Sequence, residues 1–341
     1  MLTIRKIFFL VSTMFLVLSQ LGALEPGRQD NSKPYSLSFS PSVGLLYGQG
    51  EEIVFKYPER NQHLSQLLWD LKPLIYFGLS FNLTPGEAFS GEGLTVFGSA
   101  KFGLPLRTGN MENRDWQYTD NENLTNYSCH EAFSQSAVLA DISAGYLLTL
   151  TDSLVLVFYG QFSFMYLSWM AENGFYQYLE TDPITNSIIP GQIWHEDLPK
   201  VNIFGPGTRY IQNWFILSPG TALKGRINQH LAMEMNFNYS PLVYCIARDD
   251  HLLRDIVFWD TLFPGHYITG SCNLIFTSNS DTEFSFTLSY RSLSGLRGPS
   301  YQARTGANQS GQPIRSSSDA GAGFSAIDLS IATRIPLFNR H

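Results

Sequence analysis

The stretch Glu283-Phe284-Ser285-Phe286-Thr287-Leu288-Ser289-Tyr290-Arg291 alternates without a break. Phe284, Phe286, Leu288 and Tyr290 fall on one face of an extended chain, and Glu283, Ser285, Thr287, Ser289 and Arg291 fall on the other. Period two is the mark of a strand whose two faces meet different surroundings. The last segment repeats it: Ile327, Leu329, Ile331, Ile335 and Leu337 oppose Ala326, Asp328, Ser330, Ala332 and Arg334. Segments of about ten residues, apolar on one side and small or polar on the other, suit a membrane β-barrel with lipid outside and a polar lumen inside. A soluble β-sandwich can show the same alternation, so the choice falls to the rest of the chain.

Composition favours the barrel. Hydrophobic residues make up 44%, aromatics 14% and charged residues 15% of the 341 residues. An ordinary soluble domain carries about a quarter charged residues. Past the N-terminus no run of about 18 apolar residues is present, so a membrane would have to be crossed by strands.

The N-terminus reads as an export signal. Arg5 and Lys6 precede an apolar run from Ile7 to Leu18, and Ser19, Gly22 and Ala23 offer small residues for cleavage. The run is short for a spanning helix, although an uncleaved anchor is the competing reading. Residues 1–23 are therefore expected to be a signal peptide, and 24–341 a single barrel domain.

Turn signals order the strands. Compact turns are expected at Asn82 to Gly86, Thr151 to Ser153, Gly225 to His230 and Ser278 to Asp281. Longer polar connections are expected at Glu51 to His63, Gln117 to His130, Glu180 to Lys200, His251 to Pro264 and Gly298 to Ala320. Short and long connections alternate, as periplasmic turns and extracellular loops do. The fold class expected is all-β: a transmembrane antiparallel up-and-down barrel of about ten strands with long extracellular loops. Such a barrel leaves a narrow lumen filled by side chains, which argues against an aqueous pore.

The net charge of −7 speaks against a nucleic-acid partner. Cys129, Cys245 and Cys272 are an odd number and give no disulfide framework. Cys245 and Cys272 could pair if their strands adjoin, or all three could be free thiols in the wall. His195-Glu196-Asp197 reads as a solvated loop with no second ligand pair at a suitable spacing, so no metal is expected. No nucleotide-binding motif appears, and no cofactor is expected.

At the top of the third strand stands Gly109-Asn110-Met111-Glu112-Asn113-Arg114-Asp115-Trp116. This resembles the signature of the omptin family of outer-membrane endopeptidases: Gly-Asn-Met, two catalytic aspartates one residue apart, then Trp. Asp115 matches the second aspartate, and Asn113 departs from the first. Leu64-Ser65-Gln66-Leu67-Leu68-Trp69 resembles the family's Ser-Gln-Leu-Asp-Trp. Asp249-Asp250-His251 matches its Asp-x-His at the end of the seventh strand, and Tyr290-Arg291 leading into Gly295 to Tyr301 resembles the ninth strand and its loop. The resemblance covers nearly the whole chain after the signal.

It implies peptide-bond hydrolysis by an activated water, with no covalent intermediate. His251 would be the base, since His titrates nearest neutral pH. Asp249 would fix its tautomer and stabilise the imidazolium. Asn113 and Asp115 would face them across the groove. An amide carries no charge and cannot accept a proton, so Asn113 implies reduced or altered activity. Glu112 is no substitute, because adjacent strand residues face opposite ways.

Parity raises a conflict. Leu231, Met233, Met235 and Phe237 look lipid-facing, and strict alternation would put Asp249 and His251 on that same face. Catalysis needs them inward, so a bulge or twist is expected between Tyr239 and Arg248, near Pro241. Without one, both residues are merely solvated at a strand end.

The family cleaves beside basic residues, using a glutamate in the first loop and an aspartate two positions before the catalytic one. Glu52 matches the glutamate; the aspartate's place is taken by Ala247, which implies a relaxed preference for Arg or Lys. Two arginines of the family's lipopolysaccharide-binding motif are Tyr166 and Asn213 here, so the usual motif is missing. The expected partners are peptide or protein substrates at the cell surface and outer-membrane lipid. The alternative function is a catalytically inactive omptin-like barrel acting as an adhesin or receptor.

Overall fold

The computed structural model describes residues 35–57, 62–85, 91–117, 123–185, 188–189, 191–278, 282–305 and 312–339. The expected signal peptide lies outside these residues, as do the tips of several connections. Among the described residues no helix is long and apolar enough to cross a membrane. The wall is made of strands.

In chain order these are β1 (Tyr35–Phe55), β2 (His63–Pro85), β3 (Gly93–Gly103), β4 (Arg107–Asp115), β5 (Asn126–Thr151), β6 (Leu154–Tyr178), β7 (Val201–Arg226), β8 (Leu231–Ser240), β9 (Val243–His251), β10 (Ile256–Leu262), β11 (His266–Thr277), β12 (Glu283–Arg304) and β13 (Ile314–Asn339). Three pairs, β3 with β4, β8 with β9 and β10 with β11, are the lower and upper halves of one strand each. Among the described residues the wall therefore has ten antiparallel crossings. β1 pairs with β13, β8 and β9 pair with β7, and β10 and β11 pair with β12, so the sheet closes on itself. Among the described residues closure leaves no edge strand with unpaired N–H and C=O groups.

The outward face of the lower wall is apolar, as the alternation requires. Phe284, Phe286, Leu288 and Tyr290 on β12 are all exposed, and so are Ile327, Ile331 and Ile335 on β13 and Val43 and Tyr47 on β1. This band ends at Tyr47 on β1, Ile246 on β9, Phe263 between β10 and β11, Tyr290 on β12 and Ile327 on β13. The strands continue well beyond it. Inside the band the lumen is polar and paired: Tyr76 donates to Asp328 at 2.5 Å, Lys101 also pairs with Asp328, and Arg291 meets Asp141 at 3.3 Å. Above that network the lumen is closed by rings. Tyr210 stacks on Trp69 with centroids 5.6 Å apart and on Trp169 at 6.2 Å. All three side chains are almost wholly buried. Gly50 makes room for this layer, because a Cβ there would lie 2.9 Å from Trp169.

Several connections are shorter than the sequence suggests. β1 runs on to Phe55, β5 begins at Asn126, β12 runs to Arg304, β13 starts at Ile314, and β2 extends to Pro85 through most of an expected turn. The segment His251 to Pro264, expected to be a loop, is mainly strand β10. Above the apolar band the outer face meets water, so these strand ends lose the apolar stripe by which strands are recognised. The described residues of the long connection between β6 and β7 keep the expected loop character. The three cysteines are free. Cys245 lies opposite Leu262 and Cys272 opposite Met235, so their strands do not bring them together.

Candidate active site

The third strand reaches the rim through a local kink. Gly109 has φ +127°, a conformation that suits glycine, and a Cβ there would collide with Asp70. Asp70 in turn accepts the N–H of Asn110 at 3.1 Å. Beyond the kink Met111 pairs with Trp69, Asn113 with Leu67 and Asp115 with Ser65. Directly paired residues share a face. Because Trp69 and Leu67 are buried, Asn113 and Asp115 point into the lumen. Ser65 Oγ donates to Asn113 Oδ1 at 2.9 Å, and Asn113 Nδ2 lies 3.5 Å from Asp115 Oδ2. Burial raises the Asp115 carboxyl above its ordinary range, against the pull of Ser65, Asn113 and the Arg254 charge. Glu112 faces the other way and pairs with Arg114 at 2.8 Å.

On the opposite wall the chain changes face as parity requires. Gly220 pairs with Asn238, and Ile216 with Val243. Five steps on the β8–β9 side thus match four on β7, which is one inserted residue at Pro241-Leu242. Below the insertion Met235 and Phe237 are exposed; above it Val243, Cys245, Ala247 and Asp249 are buried. Asp250, on the outward face, is held by Arg209 and by Arg248 Nε at 2.7 Å. That leaves Asp249 as the inward carboxylate of the pair.

Asp249 Oδ2 lies 2.5 Å from His251 Nε2. The imidazole packs edge-on against Phe258, with centroids 5.4 Å apart. With Nε2 turned to Asp249, Nδ1 is the ring nitrogen left for other partners. Arg254, from the four-residue turn after β9, reaches back and contacts Nδ1 and, at 3.1 Å, Nε2. Its charge acts on Asp115 as well.

Glu52 lies one strand from the Asn113 side, paired with Leu67, which also pairs with Asn113. It is 4% exposed and close enough to Asp249 for the two carboxyls to act on each other. Burial first, then the charges of Asp249 and Asp260, push its carboxyl well above the usual range. Asp260, on β10 opposite Ala247, is 2% exposed. Burial raises it to about 7; Ser300 and Arg315 pull it down and Asp249 pushes it up.

The rim therefore holds Asn113 and Asp115 on one wall with Glu52 in the rung of Asn113, and Asp249 and His251 on the other with Asp260 one step lower, over the aromatic floor. A model of the omptin family matches residues 33–335.

The chain belongs to the omptin family.

This omptin is 24% identical over 263 residues to the plasminogen activator of Yersinia pestis, covering 76% of this chain and 77% of that protein. Its fold matches the crystal structure of the outer-membrane protease OmpT from Escherichia coli with a TM-score of 0.73, at 16% identity, over 91% of this chain and 99% of that one. At that identity the likeness is one of fold. Family and fold indicate the outer membrane as its location.

All five residues singled out in the sequence lie in this rim: Glu52, Asn113, Asp115, Asp249 and His251. Two others were not recognisable there. Arg254 and Asp260 fall in the segment read as a loop, where no inward face was assigned. Treating Phe258, Asp260 and Leu262 as one strand face would have brought Asp260 into view. His195, Glu196 and Asp197 lie on the exposed loop between β6 and β7, and no metal-binding group is found among the described residues. Tyr166 and Asn213 are direct cross-strand partners on the outer wall.

Proposed function

We propose that this omptin is a cell-surface endopeptidase that hydrolyses peptide bonds with a water activated by His251 and Asp249. The observation that carries this reading is the 2.5 Å contact between His251 Nε2 and Asp249 Oδ2 inside the rim, facing Asn113 and Asp115. Asp249 holds the proton-bearing Nε2, which leaves the lone pair of Nδ1 for the water. The water attacks the scissile carbonyl as its proton passes to Nδ1. The imidazolium, stabilised by Asp249, then gives that proton to the leaving amine.

Asn113 changes the far side of this reaction. Its amide accepts from Ser65 and directs Nδ2 toward Asp115, so one N–H remains for the groove. An N–H can steady the oxyanion of the tetrahedral intermediate, which a carboxylate at that position cannot do. Asp115 retains one acidic group to hold the water. Activity is lower than an aspartate pair would give. Arg254 must leave Nδ1 before a water or substrate can use it.

Outer-membrane lipid surrounds the apolar band. With Tyr166 and Asn213 in place of two arginines, the wall does not grip lipopolysaccharide phosphates through the family's usual motif. The chain is made with a cleaved signal peptide and has a single barrel domain.

Asn113 and the Arg254 contact favour a second reading, an inactive barrel that serves as an adhesin or receptor. Cells displaying the wild-type protein or His251→Ala separate the two. A peptidase loses host-protein cleavage with His251→Ala. A binding barrel keeps adhesion and shows no cleavage in either form.

A further inference from the structure

The turn after β9 sets one cation against the His251 ring. The turn is tied at three points: the Leu252 N–H donates to the Gly207 carbonyl at 3.0 Å, the Arg254 N–H to the His251 carbonyl at 3.1 Å, and the Thr305 N–H to the Asp255 carbonyl at 2.9 Å. Asp255 closes it with φ +53°, a left-handed conformation that Asp adopts more readily than most residues. The backbone of Arg254 is thus held between β7 and the end of β12, and only its exposed side chain has to move. Other rim arginines meet carboxylates: Arg114 meets Glu112 at 2.8 Å, Arg209 and Arg248 share Asp250, and Arg297 meets Asp319 at 3.1 Å. Among the described residues Arg254 forms no ion pair, and its guanidinium lies on the imidazole instead. Asp115 feels its charge without pairing with it. A guanidinium is held more strongly by a carboxylate than by a neutral ring nitrogen.

We infer that Arg254 is a specificity-determining residue: its guanidinium pairs with a carboxylate side chain on the residue that follows the cleaved bond, and in doing so uncovers His251 Nδ1. This rests on the peptidase reading above. In that reaction Nδ1 takes the proton of the water and passes it to the leaving amine. The amine must therefore come within hydrogen-bond reach of Nδ1, the same nitrogen that Arg254 touches. A carboxylate on the residue carrying that amine is only a few bonds away and meets the guanidinium first. The planar fork of Arg takes both carboxylate oxygens at once, and this draws it off the ring. Binding the acidic side chain and freeing the base are then one event, an induced fit limited to substrates that bring the charge. With an uncharged residue in that place the contact only occludes Nδ1, and removing Arg254 speeds hydrolysis.

The test uses the full barrel refolded in detergent and a set of peptides that differ only in the residue after the cleaved bond: Asp, its neutral isostere Asn, or Lys. All are amidated at the C-terminus, so the carboxylate tested is the side chain's. The wild-type protein is expected to favour Asp over Asn by about fivefold or more in kcat/KM, the scale of one exposed ion pair. Arg254→Ala abolishes the difference, Arg254→Lys retains part of it, and Arg254→Glu moves the preference to Lys. A role confined to tuning His251 would change all peptides by one factor. Heat-dependent mobility in SDS gels reports whether each variant is folded. The same set made as ketomethylene analogues, which cannot be hydrolysed, is titrated by calorimetry, so binding is read without catalysis. Equal rates for Asp and Asn peptides in an active wild-type barrel, or a preference for Asp kept by folded Arg254→Ala, overturns the assignment and leaves the peptidase reading standing. Tighter binding of the Asp analogue through Arg254 by a barrel that cleaves no peptide sinks the peptidase reading and leaves the carboxylate subsite. No binding of any analogue and no cleavage overturns both.

Discussion

Asp249 and His251 face the lumen because one residue is inserted between Ser240 and Val243. Five steps on that strand match four on β7, and every side chain from Val243 upward is turned to the other face. A strand that shows Met235 and Phe237 to lipid can thus end with a carboxylate and an imidazole inside the rim.

Deleting Leu242 removes the inserted residue. The upper strand then resumes simple alternation, and Asp249 and His251 turn outward. The barrel is expected to fold, read from its heat-dependent mobility, while kcat/KM falls by about a thousandfold, the scale of a lost general base. Full activity in the folded deletion variant would contradict the assigned faces.

Restoring the carboxylate at position 113 tests the departure from the family pattern. Asn113→Asp is expected to raise kcat/KM for peptide hydrolysis by about tenfold, since a second charge opposite His251 favours its protonated form in the transition state. A peptide panel assayed with both proteins measures this. No gain on any peptide would show that Asn113 is not what limits the reaction.

Arg254 covers His251 Nδ1 from an exposed turn. Arg254→Ala frees that nitrogen without touching the wall. We expect kcat/KM to rise by about two- to fivefold, equivalent to less than about 1 kcal/mol of competing contact. A fall in activity would mean that Arg254 assists the groove rather than occupying it.

The acidic group predicts a pH dependence of binding. Burial pushes the Asp260 carboxyl up to about 7 and holds Glu52 well above its ordinary range. Below about 7 the Asp260 carboxyl is neutral, and a cationic side chain meets less charge. As pH rises through about 7 Asp260 ionises, so KM for an Arg peptide should fall between pH 6 and pH 8. Asp249, Arg315 and Tyr210 face the same space, and Asp249 is shared with His251; kcat and KM must therefore be followed separately. Asp260→Asn should flatten the KM profile. A KM independent of pH in the wild-type protein would count against a cation-binding role.

What could be read from the sequence follows the solvent. Inside the bilayer the outer face must be apolar, and Phe284 to Tyr290 or Ile327 to Ile335 announce their strands. Above it both faces tolerate polar residues, and β10 was hidden between a turn without glycine or proline and the conspicuous Pro264. The groove was legible through its motifs. The need for an insertion near Pro241 was legible too, because periodicity and chemistry disagreed about one strand. Asp260 was not: its meaning depends on facing Ala247 and Glu52, which are 13 and more than 200 positions away in the chain, and no local pattern carries that relation.

The most direct measurement is kcat/KM of the refolded wild-type barrel and of His251→Ala on a fluorogenic peptide with Arg before the scissile bond, in the same lipid and detergent. The account predicts measurable hydrolysis by the wild-type protein and a loss of about a thousandfold or more in a folded His251→Ala variant. Equal rates in the two proteins, or no hydrolysis by either across a broad peptide panel, would contradict it.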